Sequence, residues 1–422
     1  MNILLKSARI VAPASKRHHL KRRDIHIKDG KIAAIAPVIE EKTNMKVLVL
    51  KNLHVSPGWF DSSVCFGEPG HEERETIANG LDTAARSGFT DLVLNPNTYP
   101  VPDSSSDIVF LRNAGKDRPA VLYPLGTLTA RSEGEDLAEL FDMHKAGAVG
   151  FYDFKQPIRN SNLLKIALLY ARNFDGLVCS FPLDVQIAGK GIVNEGEEAL
   201  RLGLKGIPAL AEELQIARDL DILEYTGGSL HIPTISTQRA VKLIAEAKKK
   251  GLDVTCSVAI HNLYATDSAL RQFDSNFKTM PPLRTEGDAK ALIRGVLNGV
   301  IDFVTTDHTP LDVEEKRVEF DNAAYGTIGL ESALGVMLQL FDLETAVGLL
   351  CKGRGRFGIP AMLLEEGQMA NLTLFDPEAS YVLREEELNS TSKNCMFLGD
   401  TLKGKVYGVL AHGKTMLPKN IG

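Results

Sequence analysis

The 422-residue chain predicts an α/β fold: a (β/α)8 TIM barrel with a small composite β-sandwich domain formed by both termini. Three observations lead there. Residues 1–55 and 366–422 are β-like, the stretch between them alternates strand and helix patterns, and no Gly-rich phosphate loop favours an open doubly wound sheet instead.

The opening residues around Ile3, Leu5 and Ala8 to Val11 start a strand, and DIHIKDGKIAAI reads as two strands joined across Asp29-Gly30. KVLVLKNLHVSPG is a further apolar run ending at Pro57-Gly58. The next strands are expected in WFDSSVC, FTDLVLN, AVLYPLG, AVGFYD, LVCSF, SLHIPTI, DVTCSVA and IDFVTTD. Eight strand-then-helix alternations suit a closed barrel. Among the intervening helices, ALAEELQIARDLDILEY sets Leu210, Leu214, Ala217, Leu220 and Leu223 on one stripe. TQRAVKLIAEAKKK and DAKALIRGVLNG read as amphipathic helices. ANLTLFDP and KVYGVLAHGKTML return to strand character. The expected units are therefore 1–55 plus 366–422, and a barrel over 56–365 inserted between them.

Composition narrows the function classes. With 44% apolar and 24% charged residues the chain is ordinary globular protein, and a net charge of −6 argues against nucleic-acid or anionic-membrane binding. The basic cluster Lys16 to Arg23 reads as a solvated hairpin edge. No apolar run of about 18 residues is present, and the start shows no signal-peptide pattern. Five dispersed cysteines without a CxxC pair suggest reduced thiols and a cytoplasmic protein.

In a barrel the chemistry sits at the carboxyl ends of the strands. The first, WFDSSVC, places Asp61, Ser63 and Cys65 on one face. PGWFDSSVCFGEPG, with the HEERETIANGLDTAARSGFTDLVLNPNTYP that follows, resembles the dihydroorotase signature. GAVGFYD, GIVNEGEEALRLGL, MPPLR, IDFVTTDHTP, TIGLESALG and a late FDP match in order along nearly the whole chain. The resemblance implies a barrel hydrolase of the amidohydrolase superfamily. There zinc lowers the pKa of a bound water, the hydroxide opens the ring amide of dihydroorotate, and an Asp shuttles the proton.

Carried over residue by residue, the family's histidines after the first strand correspond to Ser63 and Cys65. Its bridging carboxylate corresponds to Phe154, with Asp153 one residue earlier; its later histidines correspond to Phe181 and Thr234. His231 precedes Thr234 by three positions and should point away from the site. Only Asp307 is retained among the metal positions. For the substrate carboxylate the resemblance retains Asn97, while Gly67, Met280 and Leu311 replace an Arg, an Asn and a His. Asp307 on its own reads as a hydrogen-bonding group, His261 and His308 as satisfied polar contacts. Cys65 and Cys179 could form a soft metal site with Asp61 or Asp307, but read more simply as small buried hydrophobes.

The expectation drawn from these replacements is a chain of pyrimidine biosynthesis that has lost its metal ligands and needs no cofactor. It would act as a non-catalytic scaffold or regulatory partner of aspartate transcarbamoylase, and as a homodimer. The alternative is an active dihydroorotase or related zinc cyclic amidohydrolase, converting dihydroorotate to N-carbamoyl-aspartate. A third reading is a small-molecule binder lined by Asn97 and the 311–327 loop.

Overall fold

The computed structural model describes residues 2–15 and 17–418; Lys16 of the basic cluster lies outside the described residues. Strands β1 (Asn2–Ile10), β2 (Arg22–Lys28), β3 (Lys31–Ala36), β4 (Lys46–Leu48) and β5 (His54–Pro57) open the chain. The central strands are β6 (Trp59–Val64), β7 (Phe89–Leu94), β8 (Val121–Pro124), β9 (Leu177–Cys179), β10 (Val193–Asn194), β11 (Gly206–Ile207), β12 (Ser229–Ile232), β13 (Val254–Ala259) and β14 (Phe303–Thr305). β15 (Asn371–Val382), β16 (Thr401–Ala411) and β17 (Lys414–Met416) close it.

One sheet joins both ends of the chain in the order β17-β16-β15-β5-β1-β2-β3, with β4 beside β1. The Asp29-Gly30 turn has φ of 50° and 77°, the left-handed pair that a tight hairpin requires. Alternate residues Ile3, Leu5, Ile25, Ile27, Leu372 and Leu374 face a common apolar core, as period-2 geometry dictates.

The barrel strands lie parallel in two arcs, β6-β7-β8 and β14-β13-β12-β9. Single parallel bridges complete the circuit: Val64 to His308 on one side, Gly126 to Phe151 and Phe151 to Val178 on the other. AVGFYD, expected as a full strand, is thus reduced to the Phe151 bridge. Beyond it Asp153 turns back and accepts from the backbone of Leu128 and Thr129 at 2.9 and 3.1 Å, which ends the extended run.

The helix Ala209–Thr226 forms where expected, and of its expected stripe Leu220 and Leu223 are buried while the first two leucines are not. Leu210 and Leu214 are 43% and 42% exposed, whereas Glu212, Gln215 and Asp219 are buried. The carboxylates are inward because partners await them. Asp219 accepts from the Ser180 hydroxyl at 2.6 Å, and Glu212 accepts from Ser236 and Thr237. Hydrogen-bonded acids there tie the helix to the strand ends, so hydrophobic periodicity alone misplaces the inward face over the first two turns.

At the opposite end of the barrel, Arg354 is the main tie. It donates to Asp91 at 2.7 Å and to the carbonyls of Gly58 and Trp59 at 2.8 and 3.1 Å, with neither Arg354 nor Asp91 appreciably exposed. Against the opposing effect of burial, His412 and Arg354 hold the Asp91 carboxyl well below the usual carboxylate range. Arg354→Met should cost about 3–5 kcal/mol, because it strands a buried carboxylate. Urea unfolding measures this, and Asp91→Asn added to it should recover part of the loss. A cost under about 1 kcal/mol would show the pair to be dispensable.

Candidate active site at the barrel mouth

The carboxyl ends of β6 and β14 are locked together by Asp61. Its carboxylate, fully buried, accepts from the Ser63 backbone N–H at 3.0 Å, the Thr306 N–H at 3.0 Å, and the hydroxyls of Thr305 and Thr306. This clamp delivers Ser63 and Asp307 to one place. The Ser63 hydroxyl donates to Asp307 Oδ1 at 2.9 Å, and the Lys155 ammonium donates to Asp307 Oδ2 at 2.9 Å. Asn95, at the end of β7, donates to Ser63 Oγ at 2.9 Å and lies 3.5 Å from Cys65 Sγ. Lys155, Thr234 and Asp307 all adopt positive φ (55°, 51° and 48°). Non-glycine residues pay for that conformation, and such strain concentrates at functional positions.

The other sequence-derived positions divide into those at this mouth and those elsewhere. Phe181 is buried in an apolar cluster with Tyr152 and Cys179, and Phe154 and Met280 pack against it. Phe154 meets Tyr152 edge-on at 5.8 Å. Thr234 is buried, its backbone N–H donating to Ser257 Oγ at 3.2 Å. Both oxygens of Asp153 are taken by the 128–132 loop, which leaves it no part beside Asp307. His231 stacks on Phe303 at 5.2 Å and bonds Thr255 at 3.0 Å; burial lowers its pKa to about 3.

Gly67 has a steric cause. A Cβ there would lie 1.7 Å from the His71 carbonyl oxygen, so this backbone admits no side chain at the position. Asn97 has a buried side-chain oxygen without a partner. Leu311 is buried, and with Asp312 and Lys316 it lines a cavity of about 600 Å³ whose wall includes neither Asn97 nor Asp307. The 311–327 loop therefore borders a separate cleft. Lys316 pins it by donating to the carbonyls of Ala324 and Gly326, each at 3.0 Å.

Cys65 and Cys179 are buried thiols pushed up to about 12 by desolvation, which keeps them protonated. His308 accepts from the Gly329 N–H at 3.3 Å through Nδ1 only. His261 departs from expectation: it is buried, and neither ring nitrogen has a partner. Burial lowers its pKa to about 4. Asn95, Lys155 and the orphaned His261 are the residues that sequence reading missed in this role. The only sequence signal for Asn95 was its place at a barrel-strand end.

A family model described as dihydro-orotase-like matches residues 53–240. The dihydroorotase of Pelotomaculum thermopropionicum is 38% identical over all of both chains. That of Syntrophus aciditrophicus is 37% identical, covering 98% of this chain and 99% of its own. The chain belongs to the dihydroorotase family. In fold it resembles the L-hydantoinase of Arthrobacter aurescens, with a TM-score of 0.85 at 22% identity, covering 99% of this chain and 96% of that one.

This kinship corrects two expectations. Relatives alike over the full length carry the dihydroorotase name, which overturns the reading as a non-catalytic scaffold for aspartate transcarbamoylase. The expectation of no cofactor falls with it, since the family's hydrolysis is zinc chemistry. Zinc takes three or four N, S or O donors. Among the described residues no group of three or more His, Cys, Asp or Glu is placed to hold a metal ion. The side chains in this arrangement do not fit a zinc centre.

Burial raises the Asp61 carboxyl to about 6 despite its hydrogen bonds. The folded chain thus keeps this proton longer than the unfolded one. The contribution favours folding below about pH 4 and is lost as pH rises through about 6. Asp61→Asn cannot titrate and loses the clamp's charge. Its Tm deficit against the parent should be larger at about pH 4.5 than at about pH 7. A deficit independent of pH would show that Asp61 titrates normally.

Proposed function

We propose that this protein is a cyclic amide hydrolase of the dihydroorotase type, interconverting dihydroorotate and N-carbamoyl-aspartate. The observation that carries the reading is the full-length similarity to dihydroorotases, with matching lengths on both sides. In the reaction water adds to the ring amide carbonyl, the C–N bond breaks, and the nitrogen leaves with a proton. Asp307 is the proposed proton carrier, taking the proton from the attacking water and returning it to the leaving nitrogen. Ser63 and Lys155 hold its two oxygens at 2.9 Å each, which fixes the direction of the carboxylate. Asn97 is the proposed contact to substrate, supported by its unpartnered buried oxygen.

The two proposed units are 1–55 plus 366–422, and 56–365; the pairing of β5 with β15 supports joining the termini into one of them. A cytoplasmic setting is proposed on the five free cysteines. A homodimer is proposed on family resemblance. Among the described residues no helix is long and apolar enough to cross a membrane.

Turnover of dihydroorotate and cyclisation of N-carbamoyl-aspartate, each followed with zinc supplied, test the reading. Activity in both directions is expected, with a loss of about 100-fold or more in Asp307→Asn. Zinc-supplemented protein without turnover in either direction would overturn it.

A further inference from the structure

The helices around the barrel differ in what they show to solvent. At its most exposed positions helix Gln238–Lys249 carries only polar and charged residues: Gln238, Arg239, Lys242, Glu246 and Lys249. Helix Ser161–Ala171 is apolar on both faces. Leu163, Leu164 and Leu168 pack inward, while Ile166, Leu169 and Tyr170 point outward and are 44%, 43% and 43% exposed. A helix that is apolar all round is one that is covered all round. We infer that this outward face, with the adjoining face of Ala209–Thr226, is the contact between two copies of the chain related by a two-fold axis. This rests on the homodimer proposed above and gives it a surface.

The patch is continuous. Phe174, in the turn after the helix, meets Tyr170 at 5.6 Å between ring centroids and Phe141 of helix Leu140–Ala146 at 5.4 Å. On the side of Ala209–Thr226, Tyr225 is 78% exposed. A groove of about 420 Å³ runs there, lined by Asn162, Lys165, Arg218, Asp221, Ile222 and Tyr225. One face of an 11-residue helix, about 16 Å by 10 Å, is too small for a stable dimer, which buries roughly 800 Å² on each partner. The aromatic flank and the groove therefore belong to the same contact.

Charge selects a second copy as the occupant. Arg218 is already engaged, donating to Asp219 at 2.7 Å and to the Ile158 carbonyl at 2.6 Å. Lys165 and Asp221 line the same groove, and among the described residues neither has an ion-pair partner within the chain. In a two-fold contact one patch meets its own rotated copy, so residue i faces j and j faces i. A face with one free cation and one free anion beside apolar surface complements itself, Lys165 of each chain meeting Asp221 of the other. A partner or lipid surface of a single charge finds no such match.

The test is sedimentation velocity of the full chain over a range of concentrations. The proteins compared are the parent, Leu169→Glu, Lys165→Asp, Lys165→Asp with Asp221→Lys, and Lys242→Glu. The parent should sediment as a dimer. Leu169→Glu should weaken dimerisation by about 30-fold or more, with the parent's circular dichroism, because the side chain is exposed within one chain. Lys165→Asp should weaken it as well, and adding Asp221→Lys should restore it, which serves if the glutamate variant does not fold. Lys242→Glu, on the polar helix, should behave as the parent. A dimer unmoved by Leu169→Glu, or a Lys165→Asp loss that Asp221→Lys does not repair, would overturn this surface and leave the homodimer standing. A parent that stays monomeric, even one that binds lipid vesicles or another protein through this face, would overturn both.

Discussion

Closure of the barrel mouth depends on Asp61. A carboxylate with no exposure accepts from β6's own backbone, from the Thr305 hydroxyl at the end of β14 and from the backbone and hydroxyl of Thr306 just after it, so one side chain joins the first and last barrel strands. The same segments also meet through the Val64 to His308 bridge, with Cys65 N–H donating to the His308 carbonyl at 2.8 Å. A buried acid without donors would be costly; one with four is a rivet. Everything chemical at the mouth is downstream of it. Ser63 lies two residues after Asp61 and Asp307 one after Thr306, and their 2.9 Å contact exists because the clamp fixes both chain segments.

The order of elements was legible from periodicity because apolar spacing reports burial of strands and helices directly. It failed where polar groups are buried. Along Ala209–Thr226 the inward face carries Glu212, Gln215 and Asp219, which hydrogen bonding makes acceptable inside but no hydropathy pattern marks. AVGFYD has the composition of a strand, yet after Phe151 the chain is claimed by Asp153 capping a neighbouring loop. In both cases side-chain hydrogen bonds across distant sequence decided the outcome. Such pairings have no local signature.

The site was legible in part. The family motif located Ser63, Cys65 and Asp307 at one mouth, and alternation along β6 put Asp61, Ser63 and Cys65 in sequence reach of each other. What a list of replaced positions could not convey is how the space was refilled. Lys155 is recruited from a turn after the Phe151 bridge, by a left-handed backbone that sequence does not announce. Gly67 owes its identity to the His71 carbonyl, a steric demand visible only in three dimensions. A loss at each replaced position suggested a scaffold, whereas whole-chain similarity places the protein in the dihydroorotase family.

Positive φ at Lys155, Thr234 and Asp307 gives the mouth a common character. Each such residue costs on the order of 1–3 kcal/mol, and it persists only where its surroundings over-determine it. For Asp307 those surroundings are the Asp61 clamp, Ser63 and Lys155. For Lys155 they are Tyr152, Phe154 and Asp307. The aromatic side chains around the site therefore do more than fill volume: they exclude water from the ion pair, which strengthens it and holds the strained turn in place. A carboxylate fixed in this way cannot swing to find a partner. Whatever binds it must come to its position and meet the charge already there, and that requirement sets the terms on which substrate, water or metal enters the barrel.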